Sequence, residues 1–317
     1  MGKVLTFEIE AGALAAVENA AIASYKFVGS GDEIEADKAA IDAMHNTIDA
    51  MAIDGHIVFG EGDEFESPKL FDGQKLGAGG KEFDIALDAI EGTTLAAKAM
   101  HDALSVLAIA PKGGLFHAPN LYMEKIAIGA NYPKNIVDLD KSPQENVKAL
   151  ADFKNVSPNQ IGVCVLDRPR HAGLIAALRE VGARVYLIPD GDVAGVIFTT
   201  KSTSDVDMYM GTGGGPAGVL AAAAIKCLGG QFEGRFIIKS ESDKQIALKS
   251  GLENLKQKLS VDYLIKGPVI FAASGITNGT LLRGVHMRNG GYETQSMLLN
   301  SETRKTQRVK TLRPFDK

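Results

Sequence analysis

The stretch KEFDIALDAIEGTT, residues 81–94, decides the fold. Phe83, Ile85 and Leu87 alternate with Asp84 and Ala86, the period of two that marks a strand with one face toward a core. Where the strand breaks, it delivers Asp88, Glu91 and Thr93 around Gly92. GHIVFGEGDE, residues 55–64, has the same construction: the apolar run Ile57 to Phe59 ends at Gly60, Glu61, Gly62 and Asp63. Glycine neighbours let a carboxylate project without crowding whatever it holds. Hard cations such as Mg²⁺ or Mn²⁺ take oxygen ligands, and carboxylates from several strand ends can share one ion while leaving positions for water and phosphate. The acids therefore read as a metal cluster. The hydroxyl of Thr93 is then placed to orient a water for attack, with Asp37 as the acid that accepts its hydrogen bond. A local reading competes, because acids at strand ends also form turns and caps, and Thr93 can cap the helix that follows.

Outward from these strands, apolar residues recur three and four apart in two segments between residues 11 and 53, predicting a helical pair that packs on a sheet. ALSVLAIAPKGG, residues 103–114, reads as a further strand of that sheet, and PNLYMEKIAIG, residues 119–129, as its extension. Near residue 160 the pattern changes to strand, helix, strand, helix, strand and helix, which predicts a parallel α/β unit. Such sheets bind ligands at the carboxyl ends of their strands, where Arg168, Arg170, His171, Asp190, Asp192 and the glycines of residues 211–215 fall. The division expected is a metal-binding α+β half, residues 1–155, and a parallel half with the substrate contacts, residues 156–317. The chain should close in a hairpin.

DRPRH, residues 167–171, supplies charge complementary to the acids. Arg168 and Arg170 flank a proline that keeps the backbone extended, and guanidinium forks match phosphate oxygens. Lys125 can join them, while Tyr122 and the acids of PDGD, residues 189–192, can bond sugar hydroxyls. GTGGGPAG, residues 211–218, resembles a phosphate loop but lacks the Lys-Ser/Thr ending of a nucleotide loop.

The composition sets outer limits. With 317 residues, 45% hydrophobic and 23% charged, the chain can bury a sizeable core. Its apolar runs are too short to span a membrane, and its first residues lack the pattern of a secretory leader. Cys164 and Cys227 both sit in apolar segments, which suits free thiols in a reducing cytoplasm. A net charge of −5 argues against a nucleic-acid partner. The locally basic TRKTQRVKTLRP, residues 303–314, reads as a solvated edge strand.

GEGDE, DxxEGTT, APNLYMEK, DRPRH, IPDGDV, GTGGGPAGV and ASGIT occur in the order seen in the GlpX-type class II fructose-1,6-bisphosphatases, so nearly the whole sequence resembles that family. The resemblance implies the α/β fold of the lithium-sensitive, metal-dependent sugar phosphatases, a layered helix-sheet-helix-sheet-helix sandwich. It implies Mn²⁺ or Mg²⁺ held by Asp37, Glu61, Asp88 and Glu91, with Thr93, Asp37 and Glu61 acting in catalysis. Substrate contacts are implied at Glu91, Gly92, Thr93, Tyr122, Lys125, Arg168, Arg170, His171, Asp190, Asp192, Gly213 and Gly214. The implied reaction releases the 1-phosphate of fructose 1,6-bisphosphate as a step of gluconeogenesis, in a homo-oligomer, dimer or tetramer. Two alternatives stand beside it. One is a related sugar-bisphosphate or inositol phosphatase. The other is a sugar-phosphate-binding protein with impaired catalysis, because Phe65 and Ala217 stand where the family carries acids.

Overall fold

The computed structural model describes residues 4–315. The chain forms two compact units, one made of residues up to Phe116 together with those from Ile265 onward, the other of His117–Leu264. The division thus falls elsewhere than between residues 155 and 156. The chain leaves the first unit after one sheet half is built and returns to complete it, and periodicity does not say which sheet a late strand joins.

The first unit opens with helices α1, Phe7–Tyr25, and α2, Glu33–Asp49. Asp32 caps α2 by accepting from the amide of Glu35. Strands β1 (Ile53–Phe59), β2 (Lys75–Leu76) and β3 (Lys81–Glu91) follow, then the short helix α3 (Thr93–Ala97) and strand β4 (Leu104–Pro111). The chain next builds the second unit: β5 (Tyr122–Ile128), α4 (Pro143–Lys154), β6 (Gly162–Leu166), α5 (Ala172–Glu180), β7 (Arg184–Ile188), α6 (Asp192–Phe198), β8 (Met208–Gly214), α7 (Gly215–Leu228), β9 (Gln231–Phe236), α8 (Glu241–Lys249), β10 (Leu259–Ser260) and α9 (Val261–Leu264). It ends in the first unit with β11 (Ile270–Gly275), β12 (His286–Arg288), β13 (Gly291–Asn300) and β14 (Lys305–Pro314).

The first sheet has the order β12-β13-β11-β4-β3-β1-β2, with β14 along β13. Among the described residues, only β1 and β3 pair in parallel in this sheet. Phe83, Ile85 and Leu87 join Leu107, Ile109, Ile270 and Leu298 in one core with Ala13, Val17, Ala20 and Ala21 of α1 and Ala36, Ala40, Met44 and Ile48 of α2. The alternation read in residues 83–87 is therefore real: its apolar face covers the helices. Alanine keeps those helices close to the sheet.

In the second unit the order is β10-β9-β5-β8-β6-β7. Strand β5 belongs here, between β9 and β8, and does not extend the first sheet as its position in the sequence suggested. The sheet is mixed: β6 is parallel to β7 and β8, while β5, β9 and β10 pair antiparallel. Ile126, Ile128, Val163, Val165, Met208 and Met210 pack with Val147 and Leu150 of α4 and Leu178 of α5. The opposite face meets α6 and α7, where Gly195 lies against Tyr209 and Gly218 against Met123 and the stem of Lys125. The fold is thus an α/β sandwich class built on two mixed sheets. Among the described residues no helix is long and apolar enough to cross a membrane.

One polar network fixes the closing hairpin. Glu18 of α1, almost wholly buried, accepts from Thr294 and Ser296 of β13 and from Thr311 and Arg313 of β14. Removing one partner of a buried charge network strands the others. Glu18→Ala should cost about 3–5 kcal/mol, read as a lower midpoint in urea unfolding; a loss within about 0.5 kcal/mol, typical of a surface change, would show that the hairpin does not depend on it.

Candidate active site

The acids of β3 are brought together by a fault in the ladder. Asp88 pairs with Val106 and Glu91 with Leu104, so three steps along β3 match two along β4. In a regular strand, residues three apart point to opposite faces. The extra residue cancels that alternation, as bulges do, and turns both carboxylates to one side, where Asp88 and Glu91 share a hydrogen bond. A second irregularity between Ile57 and Phe59 ends the pairing of β1 with β3. Just beyond it, Glu61 accepts from the amide of Ala89 at 2.7 Å.

The loop of residues 60–72 holds Glu61 from behind. Its amide donates to the carbonyl of Leu70 at 2.9 Å, and the amide of Gly60 donates to the carboxylate of Asp72 at 2.8 Å. Leu70 is fully buried yet left-handed, with φ +59°. A Cβ on Gly60 would lie 1.8 Å from the Leu70 oxygen, so glycine is obligatory there.

The electrostatics follow from this crowding. Dehydration pushes Glu61 up to about 7, helped by the charges of Asp37 and Asp72. Dehydration likewise pushes Asp88 up to about 8, helped by Glu61 and Asp37. Asp37, half-buried on α2, is raised by dehydration and by Glu33. Every charge named as acting on Glu61 and Asp88 is negative. Mutually repelling, dehydrated carboxylates of this kind are the chemistry a divalent cation would relieve.

Gly92, at φ +89°, begins α3 without a side-chain cap, and Thr93 is the first residue of that helix. Thr93 is therefore not its cap. Its hydroxyl donates to the Ile90 carbonyl at 3.2 Å and not to Asp37, the acceptor expected from the sequence. The Ile90 oxygen is simply the nearer acceptor across a tight turn.

In the second unit, Tyr122 is half-exposed on β5, with the Arg170 guanidinium 5.0 Å and the Lys239 ammonium 5.9 Å from its ring centre. Arg170 donates to the Thr212 carbonyl, and Arg168 lies 3.3 Å from Asp190. His171 is buried: Nδ1 faces the Leu166 carbonyl at 2.7 Å while Nε2 accepts from the Thr212 amide at 2.8 Å. These partners assign a neutral ring protonated on Nδ1, and dehydration lowers its pKa in agreement. His171 thus holds β8 and does not present itself to a ligand. Lys125 and Asp192, expected as separate substrate contacts, are a buried ion pair instead. Their place beneath Gly213 is tight: a Cβ on that glycine would meet the Asp192 carboxylate at 2.0 Å. Gly214, by contrast, is exposed.

Phe65 is 99% exposed at the tip of the loop after Glu61, where Asp63 accepts from the amides of Phe65 and Glu66. Ala217 lies in the first turn of α7. Sequence reading passed over Lys239 and Asp72. The first sits just before the helix start SESD, residues 240–243, whose capping box was a usable signal; the second had none, because its role depends on the loop folding back.

The first unit thus carries an anionic cluster, and the second carries its own cationic and aromatic groups flanking a glycine strand. Comparison with known proteins narrows this. The family described as "Bacterial fructose-1,6-bisphosphatase, glpX-encoded" matches residues 8–313. Proteins named D-fructose 1,6-bisphosphatase class 2/sedoheptulose 1,7-bisphosphatase are similar along nearly their whole length. That of Microcystis aeruginosa is 39% identical, covering 95% of this chain and 94% of its own; that of Synechocystis sp. is 40% identical, covering 93% of each; that of Trichodesmium erythraeum is 37% identical, covering 99% and 97%. The chain belongs to the GlpX-type family of bacterial fructose-1,6-bisphosphatases.

The raised carboxyls have a measurable consequence. An acid whose pKa is higher folded than unfolded stabilises the fold below its ordinary value, near 4, and loses that contribution as pH rises through the folded value. The metal-free chain should therefore melt progressively earlier between pH 5 and pH 8, the range bracketing Glu61 and Asp88. Added Mg²⁺ or Mn²⁺ should raise the melting temperature more at pH 8 than at pH 5. An equal gain at both would show that the cation does not bind these acids.

Proposed function

We propose that this chain hydrolyses the 1-phosphate of fructose 1,6-bisphosphate, giving fructose 6-phosphate and inorganic phosphate, in a Mn²⁺- or Mg²⁺-dependent step of cytoplasmic gluconeogenesis. The observation that carries the reading is the all-anionic set of Glu61, Asp88 and Glu91 at two irregular strand ends with Asp37 of α2 near enough to raise Glu61 and Asp88. A divalent ion held there would neutralise phosphate charge and make a water more acidic. The chain's own part is positioning. The 60–72 loop and the Ala89 amide fix Glu61, and the bulge fixes Asp88 beside Glu91. Gly92 turns the backbone so that Thr93, rotated from Ile90, can orient the attacking water. Arg168 and Arg170 supply phosphate forks, with Tyr122 beside them. We infer a homo-oligomer from the family resemblance.

A second reading takes sedoheptulose 1,7-bisphosphate as substrate, since the similar cyanobacterial proteins are named for both activities. Phosphate release from the two sugars, measured side by side with Mg²⁺, with Mn²⁺ and with chelator, separates them. Fructose 1,6-bisphosphate should be cleaved only with metal. Tight binding of both sugars in calorimetry without release would favour instead a binding protein whose catalysis is impaired by Phe65 and Ala217.

Thr93→Ala should lower kcat by about 10²- to 10⁴-fold, the usual worth of proton-transfer assistance, and leave KM near the parental value. A variant that turns over at the parental rate would remove Thr93 from the mechanism.

A further inference from the structure

The strands that carry the carboxylate cluster at their carboxyl ends hold a second group of ligand-type side chains near their amino ends. Asp54 and His56 lie on β1 and Glu82 on β3, all alternating with residues of the helix-facing core and so turned to the other sheet face. Asp54 pairs with Glu82 in the parallel register, and His56 follows two residues on. One ligand atom from each lies within 4.8 Å of the others. Nε2 of His56 is 3.8 Å from Asp54 Oδ1 and 3.8 Å from Glu82 Oε1. Those separations are too long for hydrogen bonds. The nitrogen is nevertheless shut off from solvent and has no hydrogen-bond partner. A buried ring nitrogen without a partner is costly to keep, and here it is aimed between two carboxylates.

We propose that Asp54, His56 and Glu82 form a second divalent-cation site, for a first-row transition ion such as Zn²⁺, separate from the carboxylate cluster. The gap has the right size: ligands about 2.0–2.2 Å from such an ion stand roughly 3–3.5 Å apart, so the three need to close by well under an ångström in the 3.8 Å directions. One imidazole with two carboxylates favours Zn²⁺, Mn²⁺ or Co²⁺ over Mg²⁺, which takes oxygen alone. Asp54 and Glu82 are 43% and 48% exposed, which leaves an entry path. Lys112 is bonded to Glu82 Oε1, but it is half-exposed, and a surface pair of that kind is weak enough to yield or to move to the second oxygen. Asp84, buried beside them, accepts from the Leu115 amide and adds negative potential. The six-residue rise from Glu82 to Asp88 puts about 20 Å between the two groups, so this site cannot be the rim of the other.

Equilibrium dialysis of the full chain against Zn²⁺ tests this, comparing the parent with His56→Ala, Glu82→Gln and a double variant, Asp88→Asn with Glu91→Gln. The parent should bind one more ion than His56→Ala or Glu82→Gln, while the double variant keeps the His56-dependent ion. The affinity for that ion should fall by more than about tenfold in the single variants, since even loss of a hydrogen-bond partner behind a ligand costs 10–100-fold. Anomalous diffraction at the zinc edge should place it between Nε2 and the two carboxylates. Mg²⁺-supported phosphatase activity in His56→Ala and Glu82→Gln should match the parent. Equal Zn²⁺ stoichiometry in parent and folded single variants, or zinc density elsewhere only, would overturn the proposal. Neither result depends on whether the phosphatase reading holds.

Discussion

The slip in register between β3 and β4 is the constraint on which the candidate site depends. Asp88 and Glu91 are three residues apart, and a regular strand would send one carboxylate to each face. One would then enter the alanine-lined core beneath α1. The bulge removes that conflict with a single extra residue and needs no unusual residue to form it. The demand for unusual backbone falls just after it, at Gly92, whose left-handed φ strains any residue with a Cβ. The placement of these carboxylates is thus a property of the ladder as much as of the side chains.

A cluster of dehydrated carboxylates is repulsive in itself, and the surroundings show what holds it. The Ala89 and Ile90 amides donate to Glu61 and Asp88, while Asp72 draws in the Gly60 amide so that the strand end cannot straighten. These contacts offset only part of the like-charge repulsion, as the raised pKa values of both acids record. The remainder favours either protons or a cation.

The second unit solves the opposite problem. The Lys125–Asp192 pair and His171 press against its glycine strand from within. A side chain at residue 213 would collide with Asp192, whereas one at 211 would only crowd His171. Glycine at 213 therefore admits the buried polar scaffold beneath the strand. Burying an ion pair is expensive, and its use here is in fixing geometry, not in adding stability.

The sequence by itself determined the local structure: the helical pair, the strands around residues 57, 85 and 107, the alternating elements after residue 160 and the closing hairpin were all legible in periodicity and turn residues. Charge at the end of an apolar strand, Glu61, Asp88, Glu91 and the arginines of residues 168 and 170, also stood out against the pattern. Only the tertiary structure decided which sheet β5 joined and where the units divided, since an apolar strand suits either sheet and pairing is chosen across the fold. It also decided that Lys125 and His171 face inward, that Thr93 bonds Ile90, and that Asp72 supports Glu61. Sequence spacing reports which residues share a face of one element; which group lies against which from another element depends on packing, and no local pattern encodes it.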